Sequence, residues 1–240
     1  MRTLYIGNKN YSSWSMRPWV LMKQAGIAFD EVKVRFDSFE ADSEFKRTMQ
    51  ALNPTGQVPL LVDGDLAVWD TLAIAEYLAD NFPDIALWPP GKVQRARARS
   101  VCAEMHAGFG QLRSHCGMNI EADLSEAGAQ IWREQPGVRA DVARIESMWS
   151  ELLASHARTH PDGMLFGAFG IADAYFAPVV MRLTRYVLPV NAEVTAYMDR
   201  LQALPGVKAW IDEAVAEHDF LPFEEPYRQA PGAPFERTAG

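Results

Sequence analysis

An α/β domain followed by an all-helical domain is the fold class that three observations in this chain predict. Residues 3–81 alternate strand-like and helix-like patterns; residues 82–91 hold Pro83, Pro89, Pro90 and Gly91; and beyond them apolar residues recur at helical spacing up to about residue 218. A length of 240 residues lies between one domain and two. The expected organisation is therefore a domain over 1–81, a linker over 82–91, a helical domain over 92–223, and a loosely held tail over 224–240, where EEPYRQAPGAPFERTAG is rich in Pro, Gly and charge.

Each element follows from local chemistry. Thr3 to Ile6 is a β-branched and aromatic run stopped by Gly7-Asn8, the pattern of a buried first strand. Ser12, Ser13 or Ser15 can cap a helix that tolerates Pro18 in its first turn and ends at Gly26. Val32, Val34 and Phe36 alternate as a second strand, and Phe39 to Ala51, with Phe45 and Met49 four apart, reads as a short helix. Val58-Pro59 opens a third strand, Asp63-Gly64 marks a hairpin turn, and Asp70-Thr71 caps a helix carrying Leu72, Ile74, Ala75 and Leu78. The order βαβ then αββα is that of a thioredoxin-like domain. In the second half, helices are predicted over 92–116, 137–158, 171–188, 192–204 and 207–218, with Gly117 and Pro136 bounding a loop.

Composition removes several classes of function. A formal net charge of −8, with no basic run beyond the interleaved Arg95, Arg97 and Arg99, argues against nucleic acid or an anionic membrane as partner. The N-terminus has no apolar signal region, and no stretch approaches the roughly 20 apolar residues of a membrane span, so a cytoplasmic location is expected. Cys102 and Cys116 are the only cysteines and are read as buried reduced thiols. The five histidines show no ligand spacing, so no metal is expected.

The chemistry concentrates at two junctions. In a thioredoxin-like domain the turn into the first helix faces orphan N–H groups and the positive dipole end. A redox enzyme places Cys-x-x-Cys there; this chain has Ser12-Ser13-Trp14-Ser15, which excludes dithiol exchange but can donate a hydroxyl to a ligand's thiolate. The second junction is Asn53 to Leu78. A cis Val58-Pro59 bond would leave the Val58 backbone free to pair with an extended peptide, whose charged end would meet Asp70, Thr71 and a helix N-terminus. The plain alternative is a strand-starting proline and an ordinary N-cap.

Taken together, Ser-Ser-Trp-Ser, the N-P-x-G-x-V-P-x-L loop of Asn53 to Leu61, and the Asp70-Thr71-Leu72-Ala73-Ile74 helix start resemble the cytosolic glutathione S-transferase family, on its serine-using bacterial side, over essentially the whole chain up to the tail. SSWS is also similar to the zeta-class S-S-C-S motif, with Trp14 in place of Cys. The resemblance implies glutathione as co-substrate, a homodimer, and detoxification chemistry on a small hydrophobic or anionic electrophile. It implies Val58 as the backbone partner of the tripeptide, Pro59 as a cis proline, and Asp70 and Thr71 as the holders of the γ-glutamyl end. Gln57 reaches the tripeptide backbone or is a solvated loop residue. Ser12 is favoured as the hydroxyl that meets the sulfur, with Ser13 the near alternative; Ser15 is read as a helix cap. Tyr11 is kept as a third candidate, although a surface aromatic in a loop is its plainer role.

The helical domain would supply the electrophile pocket, with Trp14 from the first domain. Met105, His106, Phe109 and Arg113 share one stripe of the 92–116 helix, and Met118 and Asn119 follow it. Met105 and Phe109 are pocket candidates for which a core role is the stronger reading; His106 and Arg113 would orient an anionic substrate or join a dimer salt bridge. Gly170-Ile171-Ala172-Asp173 keeps the Asp of a capping box and replaces the hydroxyl residue with Gly, so Asp173 is structural. Two other functions stay open: a non-catalytic ligand-binding protein of the same fold, and a zeta-like cis–trans isomerase. Peroxide reduction by bound thiolate also remains.

Overall fold

A computed structural model describes residues 2–233. The first half forms a four-stranded sheet, with β1 (Arg2–Ile6), β2 (Asp30–Lys33), β3 (Leu60–Asp63) and β4 (Leu66–Trp69) in the order β2-β1-β3-β4. β1 and β2 run parallel, Leu4 opposite Glu31; β3 is antiparallel to both β1 and β4. Helices α1 (Ser13–Gln24), α2 (Glu44–Gln50) and α3 (Thr71–Asn81) complete a thioredoxin-like layer. The second half is all helical: α4 (Lys92–Ala107), α5 (Gly110–His115), α6 (Ser125–Glu134), α7 (Pro136–His156), α8 (Ile171–Arg185), α9 (Ala192–Ala203) and α10 (Pro205–Glu217).

α1 is the hinge of the packing. Eight of its residues, Ser15 to Met22, are buried, because one side lies on the sheet and the other against α8 and α10. One apolar cluster therefore runs from Leu4, Trp19 and Leu61 through Met105, Trp149 and Phe176 to Trp210 without a break between the halves. Pro18 falls in the second turn of α1, not the first, and leaves the Trp14 carbonyl without the N–H it would otherwise receive.

Three helical expectations change. The predicted helix over 39–51 shrinks to α2, because the Asp37 carboxylate takes the Glu44 and Phe45 N–H groups and Ser43 caps Lys46. The predicted 92–116 helix breaks at Gly108-Phe109, where Phe109 adopts a left-handed φ of 54°. The loop between Gly117 and Pro136 contains α6. Its Gly128, readable as a breaker, instead lets the helix approach α8: an added Cβ would stand 1.8 Å from the Tyr186 carbonyl oxygen.

The tail expectation also changes where the structure describes it. Asp219 pairs with Arg35 at 2.7 Å, and the buried Glu225 accepts from Tyr11 Oη (2.7 Å), Asn119 Nδ2 (2.8 Å) and Arg228. Charge that reads as solvated in sequence is consumed by specific partners, so residues 219–228 form a strap across both halves. Residues 234–240 of the expected tail lie outside the described residues. Asp173 is structural as expected: its carboxylate accepts from Leu165 N, Gly170 N and Tyr197 Oη.

Gly128→Ala is expected to cost about 2–3 kcal/mol in urea unfolding, because the clash is with backbone. Gly110→Ala, which meets nothing within 4 Å, is expected to stay within about 0.5 kcal/mol of the parent.

Candidate functional site

A cleft of about 690 Å³ opens between the two halves, at the N-terminal end of α1. Its floor comes from the β1–α1 turn. Ser12 is buried and donates from Oγ to Ser15 Oγ at 2.7 Å, while the Gly7 N–H donates to the same Ser15 oxygen at 3.1 Å. Ser15 is thus a tether between β1 and α1, not the helix cap that was expected. Ser13 also lines the cleft, with its Oγ 3.4 Å from Arg182 Nη2.

Tyr11 is not a surface aromatic. It is 5% exposed, its hydroxyl donates to Glu225 and accepts from Leu221 N, and burial together with the Glu225 bond holds its phenol well above the ordinary range. A phenol whose proton is committed to a carboxylate cannot also serve a thiolate.

One wall carries the second junction. The Val58–Pro59 peptide is cis, and no group among the described residues pairs with the Val58 N–H or C=O. Asp70 holds a φ of 73°, a conformation uncommon for any residue but glycine, and its Oδ1 accepts from Leu72 N at 2.8 Å. Its other oxygen lies 3.4 Å from His106 Nε2. The Thr71 hydroxyl pairs with Tyr175 Oη at 2.9 Å. Gln57, Val58, Pro59, Asp70 and Thr71 all line the same cleft as Ser12.

The opposite wall differs from expectation. Trp14, His106, Arg113 and Met118 line the cleft, but Met105 and Phe109 are packed in the core and Asn119 is tied to Glu225. The break at Gly108-Phe109 interrupts the stripe after residue 107, so the four residues do not share one continuous helical face. Sequence reasoning also missed residues that stand here. Lys46 reaches the cleft from α2, Arg182 from α8, and Glu224 from the strap, while Phe36, Phe39 and Phe45 form an aromatic wall with centroid spacings of 4.9–6.4 Å. Lys46 and Phe45 could have been suspected as neighbours on a helix facing the site; Arg182 and Glu224, distant in sequence, left no signal.

Arginine gives this wall its charge. Arg182 donates from Nε to the Cys116 carbonyl at 2.8 Å, Arg113 sits 5.9 Å from the Trp14 ring centroid, and buried Arg17 lies 4.1 Å from the same centroid. None of the three has a carboxylate within ion-pair distance among the described residues. Burial lowers Arg17 and Arg182 to about 10, so both stay charged at neutral pH.

Comparison with known proteins agrees with this geometry. The family model for the glutathione S-transferase N-terminal domain matches residues 11–81, and that for the C-terminal domain matches 94–213. The chain belongs to the glutathione S-transferase family. It is similar to glutathione S-transferase Z1 of Arabidopsis thaliana, 35% identical over 179 residues that cover 72% of this chain and 75% of that one. A stringent starvation protein A homolog of Haemophilus influenzae is 23% identical over 76% of this chain and 77% of its own. Among solved structures, a glutathione transferase homolog from Burkholderia gl BGR1, with bound glutathione, superposes with a TM-score of 0.63 at 25% identity, covering 89% of this chain and 97% of that one. Among the described residues, no helix is long and apolar enough to cross a membrane, and no cluster of three or more His, Cys, Asp or Glu is placed to hold a metal ion.

In this transferase-family site, Tyr11 is expected to matter for the strap and not for the sulfur. Tyr11→Phe should lower stability in urea by about 1–2 kcal/mol through loss of the Glu225 and Leu221 bonds, with no change in the thiol pKa of a bound glutathione read by thiolate absorbance.

Proposed function

We propose that this protein is a glutathione transferase whose acceptor carries an anionic group. The observation that carries the reading is the convergence, on one cleft, of the Ser12 hydroxyl at the start of α1, the unpaired Val58 backbone, and Asp70-Thr71 at the start of α3. A tripeptide laid along Val58 gains two backbone hydrogen bonds, its γ-glutamyl amino group meets the free face of Asp70, and its carboxylate meets the α3 N-terminus. Lys46 is the available cation for the glycyl carboxylate at the other end. Gln57 lies between them on the same wall.

Ser12 then acts on the sulfur. Its hydroxyl and that of Ser15 can both turn, reversing their 2.7 Å bond so that Ser15 donates to Ser12 and Ser12 donates to the thiolate. The Gly7 N–H remains on the Ser15 oxygen and polarises the chain in the same direction. The thiolate attacks the electrophile directly, with the thiol proton released to solvent and no covalent enzyme intermediate. Arg113 and Arg182, which pair with no carboxylate among the described residues, favour an acceptor with a carboxylate, and Trp14 and Met118 supply its apolar contact. That charge keeps reversible addition to a cis double bond, the isomerase variant, within the same mechanism.

A homodimer in the cytoplasm, with glutathione held by residues 1–81 and the acceptor by 92–223, belongs to this proposal. The competing reading, a ligand-binding protein without turnover, is favoured by likeness to the stringent starvation protein A homolog, whose name specifies no transfer reaction.

Ser12→Ala is expected to raise the thiol pKa of bound glutathione by about 1–2 units, with a matching loss of turnover and unchanged glutathione affinity. Ser15→Ala should raise it by a smaller amount, and the double variant should do no more than Ser12→Ala alone, since Ser15 acts only through Ser12. Asp70→Ala should abolish retention on a glutathione matrix. Retention with no turnover of any anionic or neutral electrophile, and no effect of Ser12→Ala, would establish the ligand-binding protein instead.

A further inference from the structure

The strap brings one acid into an otherwise cationic part of the cleft. After α10, Leu221 is buried and Glu225 is fastened to Tyr11, Asn119 and Arg228, so the single turn Pro222–Glu224 between them is held at both ends. That turn sends two side chains in different directions. Phe223 is exposed, its ring 5.3 Å from that of Phe39. Glu224 goes inward and lines the cleft beside Arg182, Arg113 and Ser13. Its carboxylate has no hydrogen bond or ion pair among the described residues.

We propose that Glu224 is a specificity-determining residue which competes with the acceptor's carboxylate for the Arg182 end of the cleft, so that the enzyme takes carboxylate-bearing electrophiles when Glu224 is neutral and loses that preference when it is charged. The inference rests on the glutathione and anionic-acceptor reading above. Its basis is electrostatic exclusion: a charged Glu224 in the same partly buried cleft opposes the field that Arg182 offers a second carboxylate, and a neutral Glu224 does not.

The groups facing Glu224 set the sign of the pH dependence. From α8, Arg182 draws it down; from the strap itself, Glu225 pushes it up, although Glu225 is largely neutralised by Arg228; from α5, Arg113 adds positive potential to the cleft; from the β1–α1 turn, Tyr11 and Ser13 contribute uncharged hydroxyls. Burial outweighs these and holds Glu224 at about 7. Below that pH the carboxyl is neutral and Arg182 is open to an anion. Above it, the Glu224 charge cancels Arg182 and repels the acceptor. Arg182, at about 10, does not titrate in this window.

The test is calorimetric binding of two stable conjugates, S-methylglutathione and S-carboxymethylglutathione, which lack a free thiol and differ by one carboxylate. Taking the ratio of their affinities cancels any effect on the glutathione part that the two ligands share. In the parent protein the preference for the carboxymethyl conjugate is expected to fall about tenfold between roughly pH 6 and pH 8. Glu224→Gln should keep the high preference throughout, and Glu224→Ala should do the same; unchanged binding of S-methylglutathione certifies that either variant is folded. A flat preference in the parent, or the same pH step retained in both variants, overturns the role of Glu224. Failure of every protein to bind S-methylglutathione overturns the glutathione reading itself, and the inference with it.

Discussion

The burial of α1 on both of its faces is the constraint on which the rest of this structure depends. A helix at the surface of a thioredoxin-like layer needs one apolar stripe; α1 must satisfy a sheet on one side and α8 and α10 on the other, which is why Met16, Trp19, Val20, Leu21 and Met22 are all inside. The same packing aims the helix N-terminus, with Ser12 and Ser13, into the seam between the halves. Because α8 is pressed against α1, Arg182 is delivered within 3.4 Å of the Ser13 hydroxyl. One helix contact thus brings the β1–α1 turn and Arg182 to the same cleft.

The charge of the cleft runs against the charge of the chain. A protein of net charge −8 sets Arg17 and Arg113 against Trp14 and Arg182 beside Ser13, none of them paired with a carboxylate among the described residues. Isolated buried guanidinium groups are costly, and Arg17 is eased only by the faces of Trp14 and Tyr175 and by neighbouring dipoles. A protein keeps such an arrangement stable elsewhere, here through the continuous core, and retains a local field suited to anions that the bulk charge does not repel beyond the screening length.

The strap joins these two themes. Residues 219–228 bind the β-sheet side through Arg35 and Asn8, the helical side through Asn119, and the reactive turn through Tyr11. They set Phe223 against Phe39 and place Glu224 in the cleft wall. A segment poor in regular structure is ordered by satisfying its charges one by one, which gives the site a wall that neither half supplies.

How far this could be read in advance differs by kind of feature. Periods of two and 3.6, the caps at Asp70 and Ser43, and the turn at Asp63-Gly64 are local properties, and the strands, α1, α3 and the long helices of the second half follow from them. Ser12, Val58, Asp70 and Thr71 could be singled out the same way, because each sits at an element junction with orphan backbone groups, and all four line one cleft. The break at Gly108-Phe109, the helix around Gly128 and the burial of Tyr11 depend on what lies opposite, and a local pattern carries no information about its neighbour across the core. Arg182 and Glu224 belong to that second kind. Composition and spacing determined the fold class and singled out the junctions at Ser12, Val58 and Asp70; that residues 13, 113, 182 and 224 line the same cavity was decided by the tertiary structure, since only packing brings positions so distant in sequence together.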